Sequence, residues 1–97
     1  MNIQPQIKIG SLVYKIRFDD MTKYGSNTIG NIDYRSLEIT LNTQQEWEKN
    51  CQILWHEILH GILENLGMDD MKEQDVQSLA SAIHGVIVDN PDMFKGE

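Results

Sequence analysis

The spacing of apolar residues changes at Asn42, and this change limits the folds that the chain can adopt. Before Asn42, apolar and polar residues alternate, which is typical of half-buried β-strands. After it, apolar residues recur with the spacing of one face of an amphipathic helix. Strands followed by helices predict an α+β domain, in which an antiparallel sheet of three to four strands packs against two helices.

The strand pattern occupies residues 1–41. Four strands are predicted, in chain order, over residues 7–9, 14–18, 28–34 and 37–41. Gly10-Ser11 separates the first two strands and Arg35-Ser36 the last two, so each pair is expected to be joined by a tight turn. The polar segment 19–27, with Gly25 near its end, predicts a mobile loop between the two pairs.

Two helices are predicted in the remainder of the chain. The first covers residues 43–66, because Thr43 and Glu46 have the spacing of a capping box and Gly67 is typical of a helix end. The second covers residues 70–90 and ends before a proline. The apolar stripe expected to pack the first helix on the sheet consists of Trp47, Cys51, Leu54, Ile58, Ile62 and Leu66.

Length and charge restrict the domain organisation and the partners. We expect one domain over residues 1–97, since this length suffices for a single core. Fifteen acidic against eight basic residues give a net charge of −7, which leaves no cationic surface for nucleic acid or an anionic membrane. No signal sequence or transmembrane span is recognisable, so a cytoplasmic protein is expected. The single cysteine, Cys51, cannot form an internal disulfide, so packing, a metal or self-association must stabilise the small core.

The segment His56-Glu57-Ile58-Leu59-His60 is an HExxH motif inside the first predicted helix. Residues four apart on a helix share a face, so the imidazoles of His56 and His60 can bind one metal ion. Glu57 projects from the neighbouring strip, where its carboxylate can act as a general base without being a ligand. The motif therefore predicts a zinc site with a catalytic Glu57. The alternative is a histidine pair that binds nothing.

A catalytic zinc site needs a third protein ligand and leaves the fourth position to water. Glu64 lies one turn beyond the motif, too far along the axis to join both histidines on one ion. The acidic candidates on the second helix are Glu73 and Asp75, and helical phase favours Glu73. The alternative for Glu73 is a capping box with Asp70 as N-cap, which requires no metal.

Several other residues have two interpretations each. Tyr14, Tyr24 and Tyr34 are candidates to donate a hydrogen bond to an oxyanion, although their strand and loop positions explain them without catalysis. Gly61 either opens space beside the metal or allows close helix packing. His84 stands alone beside the apolar stripe of the second helix and is interpreted as a packed or partly exposed helix residue and not as a ligand. That stripe consists of Val76, Leu79, Ala80, Ile83 and Ile87.

With these residues, the chain resembles the short zincin-like proteins encoded in bacteriophage genomes, which have the general layout of the ImmA/IrrE metallopeptidase group. The resemblance covers nearly the full length. Its specific part is the segment LWHEILH at residues 54–60. Weaker similar segments occur in the same order at residues 30–34, 37–39, 76–80 and 89–91.

The resemblance implies residue roles and an activity. It implies His56 and His60 as zinc ligands and Glu57 as the catalytic acid/base. It also implies an acidic third ligand at the start of the last helix, where Glu73 stands. The implied protein is a zinc-dependent metallopeptidase with one Zn²⁺, acting in the cytoplasm of a bacterial host on a peptide or protein, including a host or phage regulatory protein.

Two other functions compete with the enzyme. One is a phage regulatory or host-factor-binding protein with a zincin fold and a mainly structural zinc ion, and the other is a helix-pair interaction module without metal. Glu57 favours the enzyme, because a structural zinc site does not need this carboxylate. For the enzyme, an exposed edge strand within residues 28–41 is expected to hold an extended peptide by β-augmentation.

Overall fold

A sheet and three helices make up residues 2–21 and 29–94, the part of the chain that the computed structural model describes. The strands are β1 (Gln6–Ile9), β2 (Leu12–Asp19), β3 (Gly30–Asp33) and β4 (Glu38–Asn42). The helices are α1 (Trp47–Leu66), α2 (Glu73–Asp89) and the short α3 (Pro91–Phe94). The predicted α+β class is confirmed, and residues 22–28 of the predicted mobile loop lie outside the described residues.

The four strands form one sheet in the order β1-β2-β4-β3. Both predicted hairpins, β1–β2 and β3–β4, are antiparallel, whereas β2 and β4 run parallel, with Ile16 opposite Ile39. The prediction of an antiparallel sheet is therefore wrong for the central pair. Apolar alternation determines which face each side chain takes and is the same for either strand direction, so the sequence carried no signal for the parallel pair.

The helix α1 packs across the sheet. The buried core cluster joins strand and helix residues, namely Ile9, Tyr14, Ile39, Leu41, Ile53, Leu54 and Ile58. The helix is about 30 Å long at 1.5 Å per residue and extends beyond the short strands. The ends of its apolar stripe are consequently exposed: Leu66 is 62% accessible, and Trp47 is 48% accessible and stacks on Phe18.

The start of α1 differs from the predicted capping box. The helix begins at Trp47, and its N-cap Glu46 forms no side-chain cap hydrogen bond. Asn42 holds the preceding turn instead, because its side-chain oxygen accepts a hydrogen bond from the Gln44 backbone N–H. The buried Asn50 side chain also donates to the Asn42 carbonyl. Tertiary polar contacts thus replace the local cap that the spacing predicted.

The helix α2 packs on α1 through Val76, Ala80 and His84, the buried residues of α2. The Nε2 atom of His84 lies 3.2 Å from a carboxylate oxygen of Glu48 on α1. The predicted end of this helix near residue 90 agrees with the observed end at Asp89. No described helix combines the length and apolar character that a membrane crossing requires.

Gly61 marks the close approach of α1 to the sheet. A Cβ atom at this position would lie 2.8 Å from Ile9 Cδ1 and 3.2 Å from Ile32 Cδ1. Of the two interpretations of Gly61, the structure supports close packing. Gly85 in α2 provides a contrast, because a Cβ atom there would contact nothing within 4 Å.

The two helical glycines should respond differently to alanine. Gly85→Ala should raise the free energy of unfolding by up to about 1 kcal/mol, because alanine has the higher helix propensity. Gly61→Ala gains the same propensity but must displace Ile9 and Ile32, so it should be about 1–3 kcal/mol less stable than Gly85→Ala. Urea denaturation of both variants measures the difference, and equal stabilisation would contradict the close packing.

Candidate metal centre

The histidines of the motif meet on one face of α1. Their Nε2 atoms lie 3.1 Å apart, and their rings are packed edge to face. The His56 side chain is 9% exposed and the His60 side chain 26% exposed. The two imidazoles thus share one face of the helix, as their spacing predicts, and His56 is the more deeply buried of the two.

Glu73 approaches both histidines from the first residue of α2. One carboxylate oxygen lies 2.5 Å from His56 Nε2 and the other 3.0 Å from His60 Nε2. Lys72 is the N-cap of α2 and forms no side-chain cap hydrogen bond, so the alternative capping box between Asp70 and Glu73 is not formed. Of the two acidic candidates for the third ligand, Glu73 lies beside both histidines, whereas Asp75 is not part of this group.

The three side chains fit a metal ion. Two imidazole nitrogens and a carboxylate are all lone-pair donors, and such atoms in contact require a proton or a cation between them. Neighbouring ligand atoms around a tetrahedral zinc ion, with bonds of about 2.0–2.1 Å, lie about 3.3 Å apart. Within residues 2–21 and 29–94, His56, His60 and Glu73 are the group of this kind that could hold a metal ion.

Glu57 is buried beside this group but is not part of it. Glu57 is 6% exposed. Burial, and to a smaller extent the negative charge of Glu73, raises the pKa of Glu57 to about 7. A carboxyl group with a pKa in this range can both accept and release a proton near neutral pH.

The edge strand β3 forms the opposite side of the cleft. A Cβ atom at Gly30 would contact the Ile53 side chain and would lie 3.3 Å from Glu57 Oε2. The absence of a side chain here lets β3 approach Glu57 closely. Gly30 was not predicted to be a site residue, and its sequence signal was a glycine inside the predicted strand 28–34.

A cleft of about 330 Å³ opens above these residues. Strand β3, Tyr34 and Gln77 line it together with the motif residues and Glu73. Among the described strands, β3 pairs with β4 alone and lies at the end of the sheet order, and its residues line the cleft. An extended chain can pair with such an edge through main-chain hydrogen bonds.

The three tyrosines and Cys51, the other candidate residues, differ in where they lie relative to the cleft. Tyr34 lines the cleft, and burial together with the charges of Glu64 and Glu57 raises the pKa of its phenol. Tyr14 is 2% exposed and belongs to the core cluster, whereas Tyr24 lies outside the described residues. Cys51 is completely buried, as its position on the apolar stripe predicts, and burial raises the pKa of its thiol.

Comparisons with protein-family models, curated proteins and solved structures found no match for this chain. Inference about function therefore starts from the side chains and their geometry. The strongest geometric feature is the group formed by two imidazoles and one carboxylate.

Substitution of each of the three candidate ligands is expected to reduce metal affinity. Glu73→Ala should weaken zinc binding by more than about 100-fold, because it leaves two imidazoles as protein ligands. His56→Ala and His60→Ala should have effects at least as large. Asp75→Ala is the matched control, since Asp75 lies in the same first turn of α2 but outside the group. Competition with a chromophoric chelator gives the affinities, and a loss in Asp75→Ala without one in Glu73→Ala would contradict the assignment.

The stability of the metal-free protein should depend on Glu57. Its pKa is near 4.5 when unfolded and about 7 when folded, so the folded state binds this proton more tightly. The associated stabilisation is fully present below the unfolded pKa and is lost as the pH rises through the folded pKa. Its total is about 3 kcal/mol for a shift of this size.

The difference between the wild type and Glu57→Gln isolates this contribution, because glutamine does not titrate. Urea denaturation in the presence of a chelator, at several pH values from 4 to 8, measures it. The wild type should lose more stability than Glu57→Gln over this interval. Parallel pH profiles for the two proteins would show that burial does not raise the pKa of Glu57.

Proposed function

We propose that this chain is a zinc-dependent metallopeptidase, in which His56, His60 and Glu73 hold one zinc ion. The observation that carries the proposal is a buried carboxylate, Glu57, beside three ligand side chains in an open cleft. Structural zinc sites are closed by four protein ligands, whereas catalytic sites retain an open position. Three ligands beside a cleft therefore favour catalysis over a structural site.

The proposed reaction is hydrolysis of a peptide bond by water. A zinc ion in this group would lower the pKa of water towards about 7 and polarise the scissile carbonyl. Glu57 accepts the proton of the attacking water and then donates it to the nitrogen of the leaving amine. Its burial and its pKa of about 7 in the metal-free protein suit a group that must carry this proton in both directions.

The remaining chain positions the substrate. Strand β3 offers main-chain hydrogen bonds to an extended peptide, which places the scissile bond along the cleft. The hydroxyl of Tyr34, a residue that also lines the cleft, donates a hydrogen bond to the carbonyl oxygen as negative charge develops on it. The resemblance to phage-encoded zincin-like proteins leads us to propose a bacterial cytoplasm as the place of action.

Glu57→Gln tests the proposed chemistry. The variant should retain zinc and the fold, because it removes a proton acceptor and no ligand, and cleavage should fall by about 10²–10⁴-fold. Zinc content by elemental analysis and cleavage of a peptide library by mass spectrometry measure the two properties. Asp75→Asn is the control for removal of one carboxylate near the cleft.

The outcomes separate the enzyme from its competitors. Zinc binding without any cleavage by the wild type would favour the regulatory protein with a structural ion, and cleavage by Glu57→Gln at the wild-type rate would contradict the mechanism. Tyr34→Phe in the same assay should lower kcat more than it raises KM, because the hydroxyl acts mainly in the transition state.

A further inference from the structure

A second cavity adjoins the metal cleft. Its volume is about 430 Å³, within the range of small-molecule binding sites. Tyr34, His60 and Glu73 line both spaces, so the second cavity opens directly beside the candidate metal centre. A substrate whose scissile bond lies at the metal centre therefore has a neighbouring side chain within reach of this cavity.

The second cavity combines apolar walls with negative charge. Its apolar walls come from the end of α1, the connection to α2 and the first turn of α2, namely Leu63, Met68, Met71 and Val76. Its charged lining residues other than the shared Glu73 are Glu64 and Asp69. Neither a lysine nor an arginine is among the described residues that line it.

We propose that the second cavity binds the lysine or arginine side chain of a peptide substrate, at the residue next to the scissile bond. This inference rests on the proposed peptidase function and names its substrate class. The long aliphatic stem of a basic side chain packs on leucine and methionine walls, and flexible methionines adapt to it. The cationic end reaches the carboxylates of Glu64 and Asp69, which form charge-assisted hydrogen bonds with it.

Other side chains fit this lining less well. An apolar side chain can pack on the apolar walls, but it removes water from the carboxylates of Glu64 and Asp69 without giving them a hydrogen-bond donor in return. An acidic side chain is repelled by the same carboxylates. Burial, and to a smaller extent the negative charge of Glu64, raises the pKa of Tyr34, which lines the same cavity as Glu64. The net charge of −7 also favours the approach of cationic peptides over anionic ones.

A pair of zinc-chelating probes tests the cavity without requiring turnover. Nα-acetyl-lysine hydroxamate and Nα-acetyl-norleucine hydroxamate have the same metal-binding group and side chains of similar length, and the lysine compound carries a charge at neutral pH. Calorimetric titration of the zinc-loaded protein should give about five- to tenfold tighter binding of the lysine compound. The ratio of the two affinities should fall as salt is added, because the carboxylates are partly exposed to solvent.

Variants locate the charge that produces this preference. Glu64→Gln and Asp69→Asn should each lower the affinity ratio towards one. Asp70→Asn is the matched control, because Asp70 neighbours Asp69 in the chain but does not line the cavity, and its ratio should equal that of the wild type. A wild-type ratio of one or less, or an unchanged ratio in both cavity variants, would overturn the proposal.

Cleavage-site mapping separates this proposal from the peptidase proposal. If the wild type cleaves peptides and Glu57→Gln does not, lysine and arginine should be enriched at one of the two positions that flank the cleaved bond. Glu57-dependent cleavage without this enrichment would overturn the substrate class and leave the peptidase intact. Tighter binding of the lysine hydroxamate without any peptide cleavage would support the preference of the second cavity for a basic side chain and contradict the proposed peptidase activity.

Discussion

The packing of α1 on the sheet is the constraint on which the candidate metal centre depends. Ile53, Leu54 and Ile58 are buried in the core cluster and thereby fix the rotation of the helix about its axis. Because residues one turn apart share a face, this rotation turns both motif imidazoles towards the sheet edge formed by β3. Gly61 and Gly30 permit the close approach of helix and strand, and residues of α1 and β3 line the cleft.

Electrostatics at the centre favours a cation. The Glu73 carboxylate contacts both imidazoles and also raises the pKa of Glu57, although burial is the larger cause of that shift. The same negative charge that disfavours ionisation of Glu57 attracts a divalent ion to the ligand atoms. An ion placed there opposes the effect of Glu73 on Glu57. Occupancy of the group and the proton affinity of Glu57 are therefore coupled.

Sequence reasoning succeeded where the relevant geometry is local. The proximity of His56 and His60 follows from helix geometry alone, and the choice of Glu73 over Asp75 required one further step, the phase of a second helix. The two hairpins could likewise be predicted from the sequence, because tight turns and alternating residues define them locally. These features need no knowledge of how distant segments meet.

Features set by tertiary contacts could not be predicted in this way. The parallel pairing of β2 with β4 depends on the path of the chain between the two hairpins. The alternation of apolar and polar residues carries no information about that path. Trp47 has the spacing of a core residue, but it is the first residue of α1, and its side chain stacks on the exposed Phe18 and remains 48% exposed. Tyr34 could not be separated from Tyr14 by sequence, since only the folded chain places one in the cleft and the other in the core.

The attachment of α2 connects stability with the proposed chemistry. The buried residues of α2 are Val76, Ala80 and His84, whereas Glu73, the first residue of the helix, has a side chain that is 68% exposed. An ion held by Glu73 and the α1 histidines would join the two helices at the start of α2, and its binding to the folded state would stabilise their packing. Substitution of His56, His60 or Glu73 would therefore lower both the stability of the fold and the affinity for the metal. Glu57, which lies outside the ligand group, is the residue at which the chemistry can be examined separately from both.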